Sequence, residues 1–314
     1  MTLTIGVDIG GTKVLGGVVD PAGKVLAETR RHTPAEDVSG TLDTIVEVIR
    51  ELAQGREIEA VGIGAAGWID EQRATVLFAP NLAWNHEPLR EELYAAVGLP
   101  VVVENDANVA GWAEYRFGVA EHVANMVLLT VGTGIGGAIV LGGSLVRGAH
   151  GIAAELGHVR VVPEGHLCGC GRRGCLEQYA SGRALVREAK RLAVARPDWA
   201  RDLLSRAGGD PERIDGPAVT AAAQAGDPIA MAAFEEIGRW LGNGMADLVQ
   251  VLDPEMIVVG GGVIEAGDLL LRPAREACAA ALPQRGRLPY AQIRAAEMGA
   301  HAGVVGAADL ARRR

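Results

Sequence analysis

The amino-acid sequence predicts an α/β chain of two domains facing each other across a cleft. Three observations lead there. A chain of 314 residues is longer than one hydrophobic core ordinarily serves. Short β-branched runs of strand length alternate with segments whose apolar residues recur at helical spacing. The run VDIGGTKVLGGV at 7–18 is echoed weakly by LTVGTGIGGAIV at 129–140, so each half opens on a strand, a glycine turn and a return strand. The expected domains are a smaller one, 1–119 plus 297–314, and a larger one, 120–296.

Residues 2–28 read as a meander: a strand to Asp8, a turn at 9–12, a return strand at 13–19, a second turn and a third strand. A helix follows at 42–52, where Leu42, Ile45, Ile49 and Leu52 keep a 3.6-residue spacing. The strand 60–64 leads to Gly67. A helix at 88–97 begins on proline and has Gly98 past its end. The strand 101–104 runs straight into NDAN and a helix through Phe117. In the second half, strands at 126–131 and 138–141 flank a glycine turn, and 158–162 reads as a further strand. Ser181 caps a helix to about Arg196, and 201–216 is a polar, Gly-rich connection. One long helix, 228–252, puts Phe234, Ile237, Leu241, Met245, Leu248 and Leu252 on one face. A strand at 256–260 ends in three glycines before another helix, and 300–314 forms a last helix packing back on the first domain.

The net charge of -9 argues against nucleic acid as a partner, since phosphate-backbone affinity needs clustered Lys and Arg. No apolar run approaches the ~20 residues of a membrane span, and the N-terminus lacks the features of a signal peptide. A cytoplasmic location is therefore expected, with the four cysteines reduced or metal-bound. Cys278 reads as a small buried hydrophobe on a helix.

GTGIGG at 132–137 fits the spacing of a dinucleotide fingerprint, but a β-branched strand follows where that motif needs a helix. No P-loop pattern is present either. What remains is a pair of glycine hairpins, each with exposed backbone N–H groups and a hydroxyl, Thr12 in one and Thr133 in the other. Such turns close on phosphate oxygens. Asp8, at the end of the first strand, is placed to hold Mg2+ beside them.

At 104–108, ENDAN sits at a strand-to-helix junction, where open α/β sheets bind ligands. Asn105 and Asp106 are both good helix caps, and only one can serve. The other suits a substrate hydroxyl, with Asp106 able to accept its proton. His158, Cys168, Cys170 and Cys175 make a closed set of four ligands for structural zinc, with His166 as the rival histidine. Glu155 and Glu177 flank the cluster and could grip vicinal sugar hydroxyls.

Together, DIGGTK at 8–13, ENDAN at 104–108, TVGTGIGG at 130–137, AELGH at 154–158, CGCGxxGCLE at 168–177 and VGGG at 259–262 resemble the ROK family of sugar kinases and repressors. The motifs come in family order across nearly the whole chain. The resemblance implies an actin-like, ribonuclease-H-like fold that closes over ATP-Mg2+ and a hexose, with glucose phosphorylated at its 6-hydroxyl. It makes Asp106 the general base, and Gly67, Asn81, Asn105, Glu155, His158 and Glu177 the sugar contacts. His158 then serves both zinc and sugar. Asp8, Gly10, Gly11, Thr12, Lys13, Gly132, Thr133, Gly134 and Gly261 fall to the nucleotide and its metal. A homodimer or homotetramer is implied. N-acetylmannosamine, N-acetylglucosamine, mannose and fructose remain open as substrates, and polyphosphate as donor. A sugar-sensing repressor is disfavoured, because those carry a winged helix-turn-helix ahead of the core and here the first phosphate turn begins by residue 9.

Overall fold

The computed structural model describes residues 2–283 and 290–314. Along the chain run β1 (Leu3–Ile9), β2 (Lys13–Val19), β3 (Val25–His32), α1 (Val38–Ala53), β4 (Ile58–Ala65), β5 (Trp68–Ile69), β6 (Val76–Phe78), β7 (Asn85–Glu87), α2 (Leu89–Val97), β8 (Val101–Asn105) and α3 (Asp106–Phe117). There follow β9 (Met126–Val131), β10 (Ile135–Leu141), β11 (Ser144–Leu145), α4 (Glu177–Ala180), α5 (Gly182–Ala195), α6 (Arg201–Arg206) and α7 (Gly216–Gln224). The chain ends with α8 (Pro228–Leu252), β12 (Met256–Gly260), α9 (Asp268–Ala281), β13 (Gln292–Ala295) and α10 (Ala302–Arg312).

These elements form two compact units, Met1–Val127 with Ala138–Ala154 and Ala296–Arg314, and Leu128–Gly137 with Glu155–Ala295. The expected domains assigned 120–127 and 138–154 to the second half. In the structure these segments group with the first unit, where Arg147 donates to the carbonyls of Asp70 and Glu71.

In the first unit, a sheet ordered β3-β2-β1-β4-β8 mixes two antiparallel pairs with two parallel ones. Its register sets Asp8, Gly64 and Glu104 in one row and Ile9, Ala65 and Asn105 in the next. Ile5, Val7, Ile9, Ile45, Ile49 and Ile63 are fully buried in a core on the α1 side. On the other side α10 presses backbone to backbone: a Cβ on Gly6 would lie 1.8 Å from Val304 O, and one on Gly62 1.8 Å from Ala307 O. A small sheet, β5-β6-β7, holds the Gly67 loop beside residues 78–79.

A second sheet is ordered β11-β10-β9-β12-β13. In the second unit α8 carries an apolar face with Phe234, Ile237, Leu241 and Met245 buried, and α9 lies close enough that a Cβ on Gly242 would meet Ala274 O at 2.2 Å. Cys278 is fully buried on α9, as a small hydrophobe.

Three local expectations need correction. Residues 159–162 form no strand: a short 3-10 turn ends at His158, and only an isolated bridge joins Arg160 to Cys175. The 201–216 connection contains α6 and a 3-10 turn capped by Asp210. The return strand β10 starts at Ile135, inside the glycine turn.

Glu87 on β7 pairs with Glu92 on α2. Burial, a hydrogen bond with Glu92 and the charge of Glu92 push its carboxyl up from 4.5 to about 7. The folded state therefore holds this proton more tightly than the unfolded chain. That contribution is fully present below about 4.5 and is lost as pH rises through about 7. Glu87→Gln is expected to raise the melting temperature relative to the parent at pH 8 and to change it much less at pH 4. Thermal unfolding of both proteins at the two pH values checks this, and an equal shift at both would contradict it.

Candidate active site

The junction between β8 and α3 resolves the capping question. Asn105 is the cap: its Oδ1 accepts from the Asn108 amide at 3.0 Å. Its Nδ2 donates to Gly67 O and to Asp106 Oδ1, each at 3.0 Å. The Ala107 amide donates to the same Asp106 oxygen at 2.9 Å. Asp106 is thus held in the first turn of α3, where the helix dipole favours an anion.

Behind this junction lies a charge cluster that motif reading missed. Glu104, 1% exposed, accepts from Arg73 Nε at 3.0 Å. Arg147 Nε stands 2.7 Å from the same oxygen, an ion pair by distance although its N–H does not point along a hydrogen bond. Burial lowers the pKa of Arg73, and Glu104 opposes that shift. A buried acid demands a partner, but these partners come from distant segments and no spacing reveals them.

The first glycine turn is closed by Gly10 N on Lys13 O at 3.0 Å and braced by Thr33, whose Oγ1 donates to Gly10 O and whose amide donates to Thr12 O. Thr12 itself is exposed. Asn81 lies against the turn, since a Cβ on Gly11 would come within 3.2 Å of it. Burial raises the pKa of Asp8 and the Lys13 ammonium lowers it, a carboxyl that gains from a cation beside it.

In the second unit Gly132 N bonds to Gly134 O at 2.9 Å, and Gly182 N to Gly132 O at 2.8 Å. Thr133 is exposed. Gly261, at φ 86°, packs on Val131, where a Cβ would meet Val131 O at 2.4 Å. Gly132, Thr133 and Gly262 line a cavity of about 1090 Å³ whose apolar wall includes Ile214, Pro217 and Ala221. The apolar wall was not foreseen, because those residues read as ordinary helix positions.

His158, Cys168, Cys170 and Cys175 bring one ligand atom each within 4.8 Å of one another. Cys168 Sγ lies 3.6 Å from His158 Nδ1, and Cys170 Sγ 3.7 Å from Cys175 Sγ. A tetrahedral zinc with Zn–S near 2.3 Å has edges of roughly 3.8 Å, so the set fits. Burial and then the neighbouring thiols push Cys175 up to about 12, a penalty on thiolates that a divalent cation removes. His166 is not in the cluster; its ring packs on Tyr179 at 5.2 Å. His158 Nε2 points the other way, 3.8 Å from Glu155 Oε2. Glu177 joins the loop to the glycine turn: Oε1 lies 3.7 Å from Cys168 Sγ, and Oε2 accepts from Ile135 N at 3.1 Å.

The ROK family model matches residues 4–314. The chain belongs to the ROK family. This ROK chain is 51% identical over 312 residues to a glucokinase of Streptomyces coelicolor, covering 99% of this chain and 98% of that one. It is 39% identical over 274 residues to a glucokinase of Thermotoga maritima, covering 87% and 86%. It is also similar to the crystal structure of a ROK family glucokinase from Streptomyces griseus in complex with glucose and AMPPNP, with a TM-score of 0.90, 52% identity, and 99% and 100% of the two chains covered. The fold is accordingly the actin-like sugar-kinase fold. No helix among the described residues is long and apolar enough to cross a membrane.

The Cys3His set can hold a structural zinc. Cys170→Ala, or removal of zinc by a chelator, is expected to lower the melting temperature and raise the KM for the sugar together. Metal analysis with melting and kinetics checks this. A metal-free variant with unchanged KM would separate the staple from the sugar site.

Proposed function

We infer that this ROK chain transfers the γ-phosphoryl group of ATP-Mg2+ to the 6-hydroxyl of glucose. The observation that carries the reading is the Asp106 carboxylate, fastened at the start of α3 by Asn105 and by a backbone amide. A carboxylate so placed suits a general base. The whole-length similarity to glucokinases supports the substrate and the donor.

In this reading Asp106 accepts the 6-hydroxyl proton as that oxygen bonds to the γ-phosphorus. The bond from the γ-phosphorus to the bridging oxygen breaks, and ADP leaves. Amides of the turns at 10–13 and 132–134, with Thr12, Thr133 and Lys13, hold the phosphates. Gly261 and the apolar wall of the cavity receive the rest of the nucleotide. Asp8 would hold Mg2+, which would supply charge neutralisation to the phosphates. Gly67, Asn81, Asn105, Glu155, His158 and Glu177 contact the sugar. Positioning and electrostatics account for most of the rate. The enzyme works in the cytoplasm as a homodimer or homotetramer, which light scattering on the purified protein tests.

Asp106→Asn is expected to retain glucose binding and to lose turnover by about 10²–10⁴-fold, the usual share of a general base. Retention of more than about a tenth of kcat removes Asp106 from that role. Across a panel of glucose, mannose, fructose, N-acetylglucosamine and N-acetylmannosamine, with ATP or polyphosphate, kcat/KM is expected to be highest for glucose with ATP. A higher value for N-acetylmannosamine would overturn the substrate assignment.

A further inference from the structure

We propose that Glu104, clamped by Arg73 and Arg147, is a positioning residue for phosphoryl transfer that acts through Asp106. The proposal rests on Asp106 as the general base.

Four groups converge on this one buried side chain. Oε2 takes Arg73 Nε at 3.0 Å and faces Arg147 Nε at 2.7 Å. Oε1 accepts from the Asn105 amide at 2.9 Å and from Asn108 Nδ2 at 3.0 Å. A carboxylate only accepts, so the contact dictates which end of the Asn108 amide faces it. That orientation leaves Asn108 Oδ1 buried without a hydrogen-bond partner, a penalty the Glu104 contact overrides.

The arginines are themselves anchored. Arg147 donates through Nη1 to Glu71 O at 2.8 Å and through Nη2 to Asp70 O at 2.7 Å. The turn they grip is closed by Arg73 N on Asp70 O at 3.2 Å. Arg147 is thus tied to the turn that carries Arg73, and both cations meet the carboxylate from that one turn, so the buried charge is compensated.

From Glu104 the path to Asp106 is short. Oε1 holds the Asn105 backbone, Asn105 caps Asn108, and the Asn108 side chain returns to Oε1. Asp106 hangs from this closed ring through Asn105 Nδ2. Loosening Glu104 frees the first turn of α3, and a displacement on the order of 1 Å at a reacting group costs roughly 10²-fold in rate. An ion cluster with only a structural role would lower stability without routing its effect through Asp106.

The test is a double-mutant cycle on the full-length protein: wild type, Glu104→Gln, Asp106→Asn and the double variant, each with kcat, KM for glucose and ATP, and melting temperature. Glutamine keeps an acceptor oxygen for Asn105 and Asn108 but removes the charge between the arginines. Glu104→Gln is expected to lower kcat about 10–100-fold with little change in KM for ATP, and to cost nothing further in the Asp106→Asn background. Losses that multiply in the double variant, or a lower melting temperature with unchanged kcat, overturn the proposal. Should Glu104→Gln fail to fold, Arg147→Lys takes its place in the same cycle, since it keeps the cation but loses the forked grip on Asp70 and Glu71. Its kcat is expected to fall about 3-fold or more, again without additivity, and an unchanged or multiplicative kcat overturns the proposal. Retention of more than about a tenth of kcat in Asp106→Asn alone instead removes the general-base reading, and this proposal with it.

Discussion

The first unit depends on a contact that only glycine permits. The α10 backbone occupies the space where a side chain on Gly6 or Gly62 would begin, so the helix lies on β1 and β4 without an intervening layer. A Cβ at either position would force the sheet and helix apart, the kind of overpacking that costs about 1–3 kcal/mol. Held in this register, β1, β4 and β8 end side by side. The first strand turns into the glycine hairpin, the second into the Gly67 loop, and the third into Asp106. Carboxyl ends of strands in an open α/β sheet are where ligands bind, and here one helix contact aligns all three.

The second unit reaches order at its loop by other means. Residues 159–176 have almost no ladder, only the bridges Arg160 to Cys175 and Leu167 to Arg173. Three thiols and an imidazole converge there, and burial, then the neighbouring thiols, hold the Cys175 thiol against the ionisation that metal ligation requires. A divalent cation would reverse that balance at Cys175 and join the four ligands in a crosslink. Glu177 lies between the loop and the second glycine turn, with Oε1 3.7 Å from Cys168 Sγ and Oε2 accepting from the Ile135 amide.

What the sequence made legible was mostly local. The 228–252 helix appears with those limits because Asp227 caps it and its apolar period is sustained over many turns. Ser181 and Gly98 mark a helix start and a helix end in the same way. Pairing between remote segments left no such trace. The β-branched run at 159–162 has strand composition but finds no partner strand, and β5 to β7 are too short to show alternation. At the site, contiguous motifs disclosed Asp106, the cysteines and both threonine turns as chemically distinctive residues. Arg73, Arg147 and the apolar cavity wall were invisible, since an arginine in a loop and an alanine on a helix announce nothing until the fold brings them together.

The two glycine turns show what the weak repeat means physically. The first is braced from behind by Thr33, which binds the carbonyls of Gly10 and Thr12. The second is braced by Glu177 on Ile135 N and by the Gly182 amide on Gly132 O. Each turn has a backbone amide on one of its carbonyls, but the second support differs, a Thr33 hydroxyl on Gly10 O in one and the Glu177 carboxylate on Ile135 N in the other, so the turns are not copies in detail. What they share is an exposed threonine on a turn fixed by bonds on its far side. Phosphate oxygens require preorganised donors and place no demand on the scaffold behind them. Under the proposed reading, a short, imperfect repeat with different supports is the form such a requirement takes when each turn meets it separately.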